Sequence, residues 1–344
     1  LKIVVTGGCG FIGSNFVRYV TKARPENHVV VFDLLTYAGN LGNLDGVLDG
    51  GRVTFVRGDM ADPSAIRGVM EGAETVVNFA AESHVDRSIL DSAPFIRANV
   101  VGTHVLLEAA LELGTERVLQ ISTDEVYGSL GPTGRFSEET PLAPNSPYSA
   151  SKASGDMLAR AYYRTHGLPV SVLRSSNAYG PYQFPEKLIP LMIANASAGE
   201  PLPVYGDGQH VRDWVFVQDL VEAVLLVLEG GTPGEVYNVG GGAELPNLEV
   251  VNLLLGEMGL SEKLIRFVPD RPGHDRRYAM DYSKITREFG WKPRRGFLEG
   301  LRETIRWYAE NQDWVGSVRS GEYRAYYDTQ YAWRFGLTDD TSAD

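Results

Sequence analysis

Residues 2–33, KIVVTGGCGFIGSNFVRYVTKARPENHVVVFD, decide how the rest of the chain is read. KIVVT is a short apolar run rich in β-branched residues, the pattern of a buried strand. Gly7, Gly10 and Gly13 follow it at once and open an amphipathic stretch that runs to about residue 23. In that context three glycines permit a tight turn, close approach of backbone to a pyrophosphate, and close packing of helix on strand. The helix N-terminus then offers its free N–H groups to the phosphates. HVVVFD (28–33) reads as the next strand. It ends in Asp33, about 20 residues past the last glycine, where an acid accepts hydrogen bonds from ribose hydroxyls. A carboxylate there repels a 2′-phosphate, so the segment points to NAD rather than NADP. Cys9, inside the turn, reads as small packing and not as a redox centre.

The same rhythm continues outward. VTFVRGD (53–59), TVVNFAA (75–81), RVLQIST (117–123) and VSVLRSS (170–176) read as further buried strands, with helices near 62–71, 94–113 and 146–166 between them. Ser146 as N-cap and Pro147 at the first helical position mark a clean start for the last of these. Strands alternating with helices imply an α/β fold, a Rossmann-type doubly wound parallel sheet. After about residue 177 the loops become rich in Pro and Gly and the strands shorten, with helices near 186–199, 247–259 and 297–311. The expected organisation is an NAD-binding domain over 1–176 with returning segments near 213–240. A smaller mixed α/β substrate lobe takes 177–212 and 241–311. The tail, 312–344, contains SGEYRAYYDTQYAWRFG (320–336), too aromatic for a plain loose end and expected to pack on the body or on a partner. TDDTSAD after it is expected to be loose.

Composition excludes several classes. The chain has 344 residues, 43% hydrophobic and 22% charged, with a formal net charge of −12. That balance argues against sequence-independent binding to nucleic acid or an anionic membrane, which needs clustered Lys and Arg. It leaves room for an anionic small ligand held by a few local cations. A single cysteine forbids an intramolecular disulfide and fits a cytoplasmic compartment. No apolar run approaches a spanning helix, and LKIVVTGG lacks the basic start and cleavage pattern of a signal peptide, so a soluble protein is expected.

Tyr148 and Lys152, four residues apart, share one helix face. A free Tyr titrates near ~10, and an adjacent ammonium, helped by a nicotinamide cation, favours phenolate, a usable base for a sugar hydroxyl. Alone the pair is common. Its place one helix after the strand ending in Thr123 makes it informative. With the glycine turn it resembles the extended short-chain dehydrogenases. Within them, LTYAGN (35–40), AAESHVDRS (80–88), TDEVYG (123–128), YGPYQFPEKLIP (179–190), RDWVFVQD (212–219) and RPGHDRRY (271–278) resemble the dTDP-glucose 4,6-dehydratases, over about residues 1–311. Asp124 and Glu125 are the decisive detail. Related epimerases carry small hydroxyl residues there, whereas removing water needs two carboxyls beside the hydride-transfer site.

The resemblance implies a three-stage reaction. Tyr148, held by Lys152 and aided by Thr123, takes the C4 hydroxyl proton while the C4 hydride passes to NAD. Glu125 then removes the C5 proton as Asp124 donates one to the departing C6 hydroxyl. The hydride returns to C6 and a proton to C5, giving dTDP-4-keto-6-deoxy-glucose. Whether environment separates the two carboxyls into acid and base is not readable from sequence.

The resemblance also assigns contacts. Phe11, Ile12, Leu35, Thr36, Ala80 and Ala81 join the glycines and Asp33 at the cofactor. Asp59 and Met60 flank the adenine or simply form a strand-end turn, and Asn99 supports the active site or is a helix-interior polar residue. His84 and Arg87 border cofactor and sugar. Lys187, Arg212 and Arg271 are candidates for the diphosphate. Asn177, Glu186, Leu188, Pro203, Tyr205, Asn247 and His274 surround phosphate, ribose and base; Tyr205 is placed to stack on a pyrimidine, and Asn247 equally reads as a helix cap. Two departures from the family stand out: Ala178 where a second Asn is common, and Leu34 after the ribose-binding acid. No His or Cys has metal-ligand spacing, so no metal is expected.

The alternatives are a UDP- or CDP-sugar 4,6-dehydratase, a UDP-sugar 4-epimerase or decarboxylase of the same fold, and a silent dinucleotide-binding regulator. The last is disfavoured because Tyr148, Lys152 and Glu125 are all present. A homodimer is expected, through the helices at 94–113 and 146–166.

Overall fold

The structure is a computed structural model and describes residues 1–319, 322–332 and 334–335. Its frame is a sheet of seven parallel strands: β1 (Lys2–Thr6), β2 (His28–Asp33), β3 (Val53–Arg57), β4 (Thr75–Asn78), β5 (Arg117–Thr123), β6 (Val170–Ser175) and β10 (Val236–Val239). They lie in the order β3-β2-β1-β4-β5-β6-β10. Both faces are covered, which is why these strands are continuous apolar runs rather than alternating ones. Ile3, Val5, Val29 and Val31 point to the face carrying α1 (Phe11–Ala23) and α8 (Val217–Gly230). Val4, Val30 and Phe32 point to the face carrying α2 (Pro63–Met70), α5 (Thr103–Leu113) and α6 (Pro147–His166). Each such side chain taken fully out of water contributes about 1.5–3 kcal/mol, so the sheet is the main store of stability.

All six strands and the four helices expected up to residue 176 are present. β3 and β4 end earlier than the apolar runs suggest, because the chain leaves the sheet at Gly58 and Phe79 to line the crevice beyond it. Ser146 Oγ accepts from the Ser149 N–H at 3.1 Å with Pro147 at the first position of α6, and the helix ends at Gly167 in the left-handed conformation. One expected helix is composite. The stretch near 94–113 starts with a single turn, α4 (Ala93–Phe95), passes through a π-helical segment Ile96–Gly102, and only then becomes α5. Short α3 (Val85–Leu90) precedes it.

The C-terminal half adds two small sheets. β7 (Asn177–Tyr179), β9 (Val211–Phe216) and β11 (Glu244–Pro246) form one; β8 (Leu202–Tyr205) and β12 (Ile265–Val268) form the other. Around them pack α7 (Leu188–Ala198), α9 (Asn247–Met258) and α11 (Phe297–Glu310), on a separate core that includes Ile189, Val204, Trp214, Leu254 and Leu301. Helices α10 (Ser283–Phe289), α12 (Gln312–Val318) and α13 (Glu322–Ala332) complete the described chain. The aromatic tail packs on the body through α13, whereas TDDTSAD lies outside the described residues. No helix of the described residues is long and apolar enough to cross a membrane.

Candidate active site

In this sheet β1, β2 and β3 run to one side while β4, β5 and β6 run to the other. The carboxyl ends therefore part at β1 and β4 and open a crevice. A cleft of about 560 Å³ fills it and extends under the C-terminal half. Gly7, Gly10, Phe11, Ile12 and Gly13 form its floor. A Cβ on Gly13 would stand 2.3 Å from the Gly7 carbonyl oxygen, so only glycine lets α1 sit so close to β1. Gly10 caps α1 without any side-chain hydrogen bond, which leaves the first N–H groups of the helix to a ligand. Asp33 Oδ2 accepts from the Cys9 N–H at 2.9 Å and Oδ1 from the Leu35 N–H at 2.8 Å, so the carboxylate is locked at the cleft edge. Burial raises its pKa above the ordinary value, with those two amides opposing. Thr36, Asp59, Met60, Ala80 and Ala81 also line this end. Asp59 is part of a turn as well, because it accepts from the Ala61 N–H at 2.8 Å while pairing with Arg97. The donors and the glycine cradle fit an NAD pyrophosphate and ribose.

β5 delivers the candidate catalytic residues. Thr123, Asp124 and Glu125 stand at its end, in the same cleft as Tyr148 and Lys152 from α6. Thr123 Oγ1 accepts from the Glu125 N–H at 3.3 Å and donates to Asp124 Oδ1 at 3.2 Å. Ser149 Oγ donates to Glu125 Oε2 at 3.2 Å. Asp124 is 1% exposed, and its Oδ2 has no protein partner. Burial, then the Glu125 and Asp213 carboxylates, push it well above the usual carboxylate range. The neighbouring Glu125 side chain is less buried and carries the Ser149 bond. The two adjacent carboxyls therefore stand in unequal settings, one fully buried and one half-buried.

Tyr148 differs from the sequence expectation in one respect. Burial, then Glu125, push its hydroxyl up; the Thr123 hydrogen bond opposes, while Asp124 and Asp156 add to the rise. Lys152 does not offset this. Its Nζ donates to the Ile121 carbonyl at 2.7 Å, and burial lowers it to about 8 with Asp156 opposing. The protein groups alone therefore keep Tyr148 a phenol.

The far wall is cationic. Arg212, Arg271 and Lys187 line it together with Asn177, Glu186, Leu188, Pro203, Tyr205, Asn247 and His274. Arg212 spans the Tyr278 ring at 4.3 Å and donates to the Asp275 carbonyl at 2.9 Å. Lys187 Nζ donates to the Ser83 carbonyl, and Arg271 lies 3.9 Å from Asp86. Buried Arg271 Nε, Asn177 Oδ1 and Asn247 Oδ1 have no protein partner, the state expected of groups aimed at a ligand. Asn247 is not the helix cap: Pro246 holds that place, with no side-chain hydrogen bond. His84 is buried, its Nε2 3.3 Å from the Glu186 carbonyl and its Nδ1 3.3 Å from the Tyr326 hydroxyl.

Three residues assigned from sequence stand behind the wall rather than on it. Leu35 packs into the sheet core with φ of 57°. Asn99 is a brace: its Nδ2 donates to the Glu82 carbonyl (2.9 Å) and Ser151 Oγ (2.8 Å), and its Oδ1 accepts from the Glu82 N–H (3.0 Å). The π-helical segment carries it, a geometry frequent near functional sites. Arg87 lies between the rings of Tyr37 and Tyr326, 3.8 Å from each, and pairs with Glu186 at 3.3 Å. Sequence reasoning missed the contribution of α13. Tyr331 is buried and lines the cleft, with its hydroxyl 3.4 Å from that of Tyr205. The spacing of Tyr326, Tyr327 and Tyr331 was the available signal.

Comparison with known proteins agrees with this geometry. The GDP-mannose 4,6 dehydratase family model matches residues 4–304. A dTDP-glucose 4,6-dehydratase of Streptomyces niveus is 50% identical over 93% of this chain and 96% of its own length. One from Salmonella typhimurium is 46% identical over 97% of this chain and 100% of its own. The structure of a dTDP-glucose 4,6-dehydratase from Streptomyces venezuelae, solved with NAD bound, superimposes with a TM-score of 0.89 at 50% identity, covering 91% of this chain and 98% of that one.

Proposed function

The chain belongs to the dTDP-glucose 4,6-dehydratase family, and on that premise we infer that it dehydrates dTDP-glucose to dTDP-4-keto-6-deoxy-glucose. The observation that carries the reaction type is Asp124: buried, with its pKa pushed up by that burial and by Glu125, and with one oxygen unpartnered in the cleft beside Glu125 and Tyr148. A sugar epimerase has no use for such an acid.

The residues divide the work. Tyr148 takes the C4 hydroxyl proton, steadied by Thr123. NAD, which the glycine turn and Asp33 would hold, would supply a positive charge and a reversible hydride acceptor, so nothing would be consumed. Glu125 takes the C5 proton once C4 is a ketone. Asp124 gives its proton to the C6 hydroxyl, which leaves as water, and a proton is restored at C5 to complete the product. Arg212, Arg271 and Lys187 meet the diphosphate in a chain that is otherwise acidic. The two lobes expected from sequence, 1–176 with segments near 213–240, and 177–212 with 241–311, would close on the cleft from either side.

Purified protein incubated with dTDP-glucose and no added cofactor should convert it to a species lighter by one water, with no net NADH. UDP-, CDP- and GDP-glucose run beside it report the base preference. Glu125→Gln and Asp124→Asn should each slow water loss by roughly 10²–10⁴-fold, the usual contribution of a positioned acid or base. Normal turnover in either variant would remove the assigned role.

A homodimer is part of this reading. Leu90 (68% exposed), Met157 (56%), Ile96 (46%) and Val101 (43%) leave apolar surface around α3, α6 and the π-helical segment, and a second copy would cover it. Sedimentation should give twice the chain mass, and Met157→Glu should shift it toward monomer. A cytoplasmic location is supported by the single, buried cysteine.

A further inference from the structure

Two non-glycine residues among those described take the left-handed backbone region, Leu35 at φ 57° and Tyr182 at φ 66°. For a bulky side chain this conformation is costly, and it persists only where the surround over-determines it. Leu35 has an evident cause, since its N–H is fixed on the Asp33 carboxylate. Tyr182 stands at the corner of the loop that follows β7, and there the cause is its ring. The ring lies against Trp307 of α11, with centroids 4.6 Å apart, and meets Trp314 of α12 edge-on at 6.2 Å. Arg18 of α1 brings its guanidinium to 4.7 Å from the ring centroid. That cation is itself pinned: Nε donates to the Asn43 carbonyl at 2.9 Å and Nη2 to the Asp45 carbonyl at 2.8 Å.

Glycine would take the same corner without strain. Tyrosine instead supplies a ring to be gripped and removes the freedom that glycine would bring. The corner is tied on both sides as well. The Pro181 carbonyl accepts from Asn15 Nδ2 on α1 at 3.0 Å, and the Gln183 carbonyl accepts from the Tyr308 hydroxyl on α11. Gln183 Nε2 donates to the Ala178 carbonyl at 3.0 Å, which folds the loop back on β7. None of Tyr182, Trp307, Trp314 and Arg18 lines the cleft, whereas Gln183, Phe184, Glu186 and Lys187, just beyond the corner, all do. There Glu186 is met by Arg87, and Lys187 by the Ser83 carbonyl. A return of Tyr182 to negative φ would turn the chain at the corner and carry Glu186 and Lys187 out of register.

We propose that Tyr182 is a positioning residue: its ring, boxed by Trp307, Trp314 and Arg18, holds the corner left-handed and so sets where Glu186 and Lys187 enter the cleft. The inference rests on the dTDP-sugar reading, in which those two residues meet the nucleotide sugar. The box joins α1, which opens at the cofactor turn, to α11 and α12 of the C-terminal half. The loop therefore takes its register from both sides of the cleft. Packing alone would need the ring but not the left-handed corner.

The test separates ring from corner. KM and kcat for dTDP-glucose, NAD content and the urea midpoint are measured for wild type, Tyr182→Phe, Tyr182→Asn, Tyr182→Gly and Tyr182→Ala. Tyr182→Phe keeps the boxed ring and should keep both kinetic constants within about twofold. Tyr182→Ala loses the ring and disfavours the corner. Its KM should rise about tenfold with kcat within about threefold, the scale of one misplaced contact. Tyr182→Gly permits the corner without holding it, and its KM should fall between those of Phe and Ala. Asparagine has no ring but tolerates left-handed backbone better than other small side chains. Tyr182→Asn should therefore bring KM back to within about threefold of wild type while its urea midpoint stays as low as that of Tyr182→Ala. Stability then follows the ring, and KM follows the corner. If KM rises equally in Asn and Ala, in step with the urea midpoint, or if Ala leaves KM unchanged, the proposal is wrong. Should Tyr182→Ala not fold, Gly against Asn carries the same comparison, and KM for Gly must be the higher. Failure of the wild type itself to dehydrate dTDP-glucose would instead bring down the function on which the proposal rests.

Discussion

The dinucleotide wall of the cleft is made of backbone, and the nucleotide-sugar wall is made of side chains. The first is local: the motif glycines Gly7, Gly10 and Gly13, a helix N-terminus and one carboxylate locked by two amides. The second is assembled from Asn177 on β7, Tyr205 on β8, Arg212 on β9, Asn247 on α9, the loop carrying Arg271 and His274, and Tyr331 on α13. Backbone recognition is unforgiving, because it fails when a Cβ is added. Side-chain recognition is graded, because each group contributes one contact among many. The walls touch where Arg87, gripped by Tyr37 from the cofactor side and Tyr326 from α13, pairs with Glu186.

The sharpest break should come at the backbone wall. Gly13→Ala puts a methyl 2.3 Å from the Gly7 carbonyl, and backbone cannot yield as a flexible side chain can. The variant should purify without bound NAD and lose more than about 10³-fold in activity; the absorbance of reduced cofactor on borohydride treatment checks the first point. Retained NAD would mean that this wall is more plastic than the geometry allows.

The substrate wall should fail more gently. Arg271→Met removes a charged donor whose Nε has no protein partner. KM for dTDP-glucose should rise roughly 10–100-fold while kcat changes little, the range of one charge-assisted hydrogen bond. A collapse of kcat at unchanged KM would move Arg271 from binding into catalysis.

The smallest effect is expected at the seam. Burial raises Glu186 to about 7, with Lys187, Arg87 and the Tyr37 hydroxyl opposing. A carboxyl raised on folding binds its proton more tightly in the native state than in the unfolded chain. Its stabilising contribution is complete below the ordinary carboxylate range and is lost as pH rises through about 7. Urea midpoints at pH 5 and pH 8 should therefore diverge more in the wild type than in Glu186→Gln. Equal slopes would show that Glu186 is ionised throughout.

Much of this was legible in advance, for reasons that lie in particular residues. KIVVT and HVVVFD announce buried parallel strands because both faces of the sheet are covered. Ser146-Pro147 announces a helix start, and the four-residue step from Tyr148 to Lys152 puts both on one face. Thr123-Asp124-Glu125 was readable as chemistry because it ends a strand at the crevice. Other features were not readable. Ile96–Gly102 has no composition that separates π-helix from α-helix, so Asn99 read equally as an active-site support or a helix-interior polar residue, and only the fold shows it bracing Glu82 and Ser151. Asn247 looked equally like a cap, and only the placement of Pro246 decides otherwise.

By itself, then, the sequence determined the sheet, the cofactor turn and the candidates for the reacting groups, because each depends on neighbours within a few positions along the chain. Tertiary structure alone decided the rest: that Asp124 is buried and its pKa pushed up, that Lys152 spends its ammonium on the Ile121 carbonyl, and that α13 helps wall the cleft. Those outcomes depend on burial and on charges brought together from distant segments. Desolvation is a property of the three-dimensional surround, which no spacing of residues along a chain encodes.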